Sequence, residues 1–152
     1  MYVLKAGIKE DPRKRWNLKD RIFFGNGACH ILAGAFLEIA PLKGFHAEWI
    51  RPHEGFSGNH FYVTDGIVAF DFHGYSLRSR LLHYYRRRRS GRQPHWDADI
   101  VHVDFDLLDT ASLNRVNHLG PDQYLEDPRP RAERYLARID HPAAFRQAQK
   151  LA

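Results

Sequence analysis

Starting at Ala28, apolar side chains fall at Ala28, Ile31, Leu32, Ala35, Phe36 and Ile39, the spacing of one helical face, and Pro41 stops the run. Just upstream, Gly25-Asn26-Gly27 lets the backbone turn sharply and presents the first helical turn, on which Cys29 sits. Residues 45–50 read as a strand, and 52–58, with Pro52, Gly55 and Gly58, as a loop. Two aromatic and β-branched runs follow, 60–64 and 67–72, separated by Asp65-Gly66, which predicts a hairpin with a two-residue turn. That turn sets Thr64 opposite Ile67, Tyr62 opposite Ala69 and His60 opposite Asp71. One face of the hairpin, Phe61 and Val63 against Val68 and Phe70, is wholly apolar and belongs in a core; the His-Asp face is half-polar. Ser76 is placed to cap a helix running to about Arg89, with Leu77, Leu81 and Tyr84 or Tyr85 on one side and Gly91 and Pro94 ending it. Residues 99–106 alternate Val101, Val103 and Phe105 with His102, Asp104 and Asp106, a strand with one wet face. Pro121, Pro128, Pro130 and Pro142 break the remainder into short helices.

Helices mixed with hairpin strands make this an α+β chain. Its 152 residues carry no repeat and no linker-like tract, so 1–152 is expected to be a single domain, and 43% hydrophobic content suffices for a core without disulfide or metal staples. Residues 1–15 hold no signal-like apolar stretch, and the longest apolar run, 31–37, is far shorter than the roughly 20 residues a membrane helix needs. A protein of the cytoplasm, or one delivered to a target cell without a classical signal peptide, is expected, with no membrane partner. The single cysteine fits a reducing compartment and leaves one free thiol.

That thiol gives the pattern its chemistry. Directly opposed strand residues share a face with Cβ atoms about 4.5–5.5 Å apart, close enough for the Asp71 carboxylate to hold the His60 imidazole. A thiol on the first turn of a helix feels the positive end of the macrodipole, and a nearby imidazole lowers its pKa further. The roles follow: Cys29 attacks a carbonyl as thiolate, His60 passes the proton to the leaving group, and Asp71 sets the tautomer and stabilises imidazolium. Backbone N–H groups around Cys29 supply part of an oxyanion hole, with Asn26 a side-chain candidate by proximity in sequence. His30, turned about 100° round the helix from Cys29, is the runner-up base. Trp49 and His46 either line a substrate cleft or are ordinary strand residues. Asp65 competes with Asp71 as the orienting acid, but the turn needs it.

In order and topology this arrangement resembles the papain-like and transglutaminase-like cysteine enzymes. The resemblance is carried by Gly27-Ala28-Cys29-His30, Asn59-His60-Phe61-Tyr62-Val63 and Ala69-Phe70-Asp71. It implies a papain-like core, a helix starting at the cysteine packed on an antiparallel sheet carrying His and Asp, with C-terminal helices. It implies a Cys29-His60-Asp71 triad acting on a protein or peptide amide through a thioester, without a cofactor. The chain lacks a Cys-Gly-Ser-Cys-Trp signature and a glutamine upstream of Cys29, and the small members include peptidases, transglutaminases and deamidating toxins or effectors.

Two other features compete. Among ten histidines, His102 shares a strand face with Asp104 and Asp106, but a solvated face explains them better than a metal site, since no metal signature such as His-Glu-x-x-His is present. The arginines Arg86, Arg87, Arg88 and Arg89, with Arg78, Arg80 and Arg92, make a basic surface beside Tyr84 and Tyr85, in a chain of 23 basic and 18 acidic residues with net charge +5. An acidic partner there defines the alternative, a noncatalytic binding module. Nucleic acid is disfavoured: no recognition signature and no phosphate-cradling glycine loop accompanies the arginines.

Overall fold

The structure, a computed structural model, describes residues 4–152. Five antiparallel strands form one sheet in the order β4-β3-β2-β1-β5: β1 (His46–Pro52), β2 (His60–Thr64), β3 (Val68–Asp71), β4 (Gly74–Leu77) and β5 (Ala98–His102). Around it lie α1 (Pro12–Trp16), α2 (Asp20–Gly25), α3 (Cys29–Ile39), α4 (Arg78–Ser90), α5 (Thr110–Arg115), α6 (Arg129–Ala137) and α7 (His141–Gln149). The α+β reading holds, as do the short C-terminal helices.

Helix α3 begins at Cys29 and ends at Ile39, where Ala40 turns left-handed before Pro41. Its apolar stripe packs on the sheet face made by Trp49, Phe61, Val63 and Phe70, and helices α2, α5 and α6 close that core. The other sheet face is buried too. Leu81 and Tyr85 of α4 and Trp96 cover Ile50, Tyr62 and Ala69, so every residue of β2 and β3 is out of solvent. The half-polar face expected from the hairpin is therefore the inner side of a second core.

Three expectations need correction. The hairpin pairs Val63 with Phe70 and Thr64 with Ala69, a register displaced by two residues from Thr64 opposite Ile67. Asp65 causes this: its N–H bonds Val68 O while its Oδ1 accepts the N–H groups of Ile67 and Val68, so the loop takes in Ile67. A shift of two leaves every side chain on its face, so His60 and Asp71 remain on the same side as diagonal rather than opposed neighbours. Ser76 caps nothing; it pairs with Ala69 in edge strand β4, and α4 starts from Leu77 without a side-chain cap. The last strand stops at His102, four residues short of Asp106, whose Oδ1 instead accepts the Leu108 N–H.

Candidate active site

The hydrogen-bond ladder of the hairpin fails where the site begins. In this register Phe61 N–H would bond Phe72 O, the next step after the Val63–Phe70 pair. Instead Phe61 N–H points to Cys29 Sγ at 3.5 Å, and Phe72 O accepts the Tyr135 hydroxyl at 2.9 Å. The strands splay, and the thiol on the first turn of α3 enters the gap between them. A cysteine rooted on one side of the sheet thus reaches a His-Asp pair on the other.

On that far side His60 Nε2 donates to Asp71 Oδ2 at 2.9 Å, leaving Nδ1 for the thiol. Tyr85 stacks on the imidazole with ring centres 4.3 Å apart, and Phe72 meets it edge-on. Asp71 is tied further by His73, whose N–H donates to Oδ1 at 2.8 Å and whose Nδ1 lies 3.2 Å from the same oxygen.

The electrostatics follow. Burial pushes the Cys29 thiol up, but the His30 and His60 imidazoles beside it more than offset that and hold it well below the ordinary thiol range. Burial pulls His60 down, yet Asp71 and Cys29 together push it up to about 9. Burial disfavours the Asp71 carboxylate, and His60 with His73 outweigh it, holding the group well below the usual carboxylate range. All three shifts run in the direction that favours thiolate, imidazolium and carboxylate.

The thiol opens into a cavity of ≈ 710 Å³ lined also by Asn26, His30, Trp49 and Asn59. Trp49 forms its wall, stacked on Phe61 at 5.2 Å with Nε1 donating to Asn59 Oδ1 at 2.9 Å. Asn26 lines it as well, with Nδ2 committed to Ile22 O at 2.9 Å. His46 lies on the opposite sheet face, near Glu48 and against His102. A second cavity of ≈ 510 Å³, walled by Phe72, Leu81 and Tyr84, borders Asp71 and also touches Asn26.

His30 follows Cys29 on the first turn of α3 and lies near enough to the sulfur to lower the thiol's pKa. Its Nε2 donates to Leu119 O at 2.7 Å, and among the described residues no carboxylate hydrogen-bonds its ring. Sequence reasoning missed His73, Tyr85 and Tyr135 in this site; only the first carries a signal, its adjacency to Asp71. Arg15 was missed too.

The arginine run wraps round α4. Arg78 bonds Glu48, Arg86 pairs with Asp97, Arg88 lies over Tyr84, and Arg89 turns into the Cys29 cavity. No helix among the described residues is long and apolar enough to cross a membrane. Compared with known proteins, the chain matches no family model, no curated protein and no solved structure.

Proposed function

We propose that the protein is a thiol-dependent hydrolase or acyltransferase of papain-like architecture, acting on an amide of a peptide, an isopeptide or a glutamine side chain. The observation that carries this reading is the thiol seated in the hairpin gap, with His60 between it and Asp71. In this reading the Cys29 thiolate forms a bond to the amide carbonyl carbon, whose oxygen becomes an oxyanion. The first N–H groups of α3, ahead of the first helical bond from Leu32 N–H to Ala28 O, and the second hydrogen of Asn26 Nδ2 support that charge. His60 gives its Nδ1 proton to the leaving nitrogen as the C–N bond breaks, and a thioester remains. Water or an amine then attacks the thioester, loses its proton to His60 and frees Cys29. Asp71 holds the imidazole and stabilises its cation throughout. No cofactor enters these steps.

The test is the rate of Cys29 alkylation against pH, in the wild type and in His60→Ala. The wild-type thiolate should titrate far below the ordinary value of about 8.5, and the depression should shrink markedly in the variant. An unreactive or unshifted thiol in both proteins would make Cys29 structural. The alternative, a binding module using the arginines from Arg78 to Arg92, draws support from the exposed Arg86, Arg87 and Arg92. It predicts partner affinity that survives Cys29→Ser and weakens steeply with salt.

A further inference from the structure

The charged side chains lining the Cys29 cavity are all cations. Lys9, Arg15, Arg89 and Arg115 line it beside His30 and His118, and no aspartate or glutamate among the described residues does. Arg15 is the unusual member. It is only 8% exposed, yet its Nε has no hydrogen-bond partner among the described residues, and no carboxylate there pairs with it. Its guanidinium lies over the Tyr124 ring, 5.1 Å from the centroid. Its Nη1 lies 3.9 Å from where a Cβ on Gly27 would stand, two residues before the nucleophile. A buried guanidinium is normally paired, because desolvating the charge is expensive. Gly58 also lines the cavity. With φ +112 and no side chain, it leaves the room that Arg89 occupies, within 2.5 Å of a would-be Cβ, next to Asn59 and His60.

We infer that the cavity is an anion subsite, in which Arg15 binds a carboxylate or phosphate carried by the substrate close to the carbonyl that Cys29 attacks. The inference rests on the thiol-enzyme reading and adds the substrate class to it: an anionic acyl compound. Arg15 is the buried donor at the floor, while exposed Lys9 and Arg115 at the rim draw the anion in.

Two alkylating agents of equal reach test this, anionic iodoacetate and neutral iodoacetamide. Both read the Cys29 thiolate, so the ratio of their rates isolates attraction of the negative charge, and His60 contributes to it equally in all variants. Arg15→Gln should lower that ratio about tenfold, Arg15→Lys should restore most of it, and Arg146→Gln, the same charge change on exposed α7, should leave it unchanged. A ratio indifferent to Arg15→Gln, or lowered as much by Arg146→Gln, would overturn the subsite while leaving the nucleophile standing. Reaction with neither reagent would remove the nucleophile and the subsite together. Should the Arg15 variants fail to fold, the wild type decides. Iodoacetamide alkylation should slow in inorganic phosphate or in succinate relative to sodium chloride of equal ionic strength. The more protective ion names the source, and protection by neither overturns the proposal.

Discussion

At the scale of single residues the site is a chain of buried, mutually stabilising groups, Cys29, His60 and Asp71. Asp71 is the hinge of that balance, since its carboxylate both orients His60 and keeps the imidazole charged. Asp71→Asn should therefore reduce turnover of an amide substrate by about 10³–10⁴-fold. It should also move the alkylation profile of Cys29 to higher pH, whereas His73→Ala should move it less, because the His73 backbone N–H still binds Asp71. Stability carries the same signature. His60 is raised from its ordinary 6.5 to about 9, so the stabilisation it contributes is complete below 6.5 and is lost as pH rises through 9. Asp71 is lowered, so its contribution holds above its ordinary value and is lost in acid. Cys29, lowered in the fold, contributes in the opposite sense between pH 7 and pH 10, so the His60 loss is read where no thiol titrates: urea denaturation of Cys29→Ser should show stability falling from pH 7 to pH 10, with a smaller fall when Asp71→Asn is added.

At the scale of elements, the broken hairpin ladder matters most. Strands β2 and β3 need only two backbone pairs near their turn because cores on both faces hold them, which frees their open ends to admit the thiol. The severed bond is replaced on each side, by Cys29 Sγ for Phe61 N–H and by Tyr135 for Phe72 O. Tyr135→Phe leaves that carbonyl without its partner and should destabilise the protein by about 1–3 kcal/mol in chemical denaturation. Cys29→Ser retains an acceptor for Phe61 N–H, so Cys29→Ala should be the less stable of the two in chemical denaturation. Helix α4 shows the converse lesson. Successive arginines lie about 100° apart on a helix, so a run that is continuous in sequence divides among Asp97, Tyr84 and the cavity wall.

At the scale of the whole molecule, the N-terminal helices are tied to the C-terminal half by two arginines, Arg131 and, with a longer 3.5 Å contact to Asp20, Arg138. Arg131 of α6 bonds Asp20 at 2.6 Å, Trp16 O at 2.6 Å and Leu18 O, and its guanidinium covers Phe23 at 4.2 Å. This joint fixes the α1–α2 corner, and with it Arg15 and the Gly25-Asn26-Gly27 loop in front of Cys29. Arg131→Met keeps the bulk but strands two carbonyls and leaves Asp20 only its longer Arg138 contact, and should destabilise the protein by about 2–4 kcal/mol. A thermal melt checks this. The iodoacetate-to-iodoacetamide ratio of the folded fraction should fall with it, since the corner that seats Arg15 loosens.

Local rules were enough for much of this. The stripe from Ala28 to Ile39, the stop at Pro41, the apolar face of Phe61, Val63, Val68 and Phe70, and the common side of His60 and Asp71 all follow from residue spacing, because period and parity survive even a register error of two. What chain neighbours alone decide poorly is competition between alternatives of similar local energy. Asp65 prefers its own backbone to a tight turn, and Tyr75-Ser76-Leu77 suits a helix start as well as the edge strand that Ala69 makes of it. Contacts distant in sequence decided the rest. The gap that receives Cys29 is matched by Tyr135, over sixty residues away, taking the Phe72 carbonyl, and the cation-lined cavity exists because segments as far apart as Lys9 and Arg115 converge on it. No local pattern encodes either, since each depends on where the packed core leaves a backbone group or a charge to be satisfied.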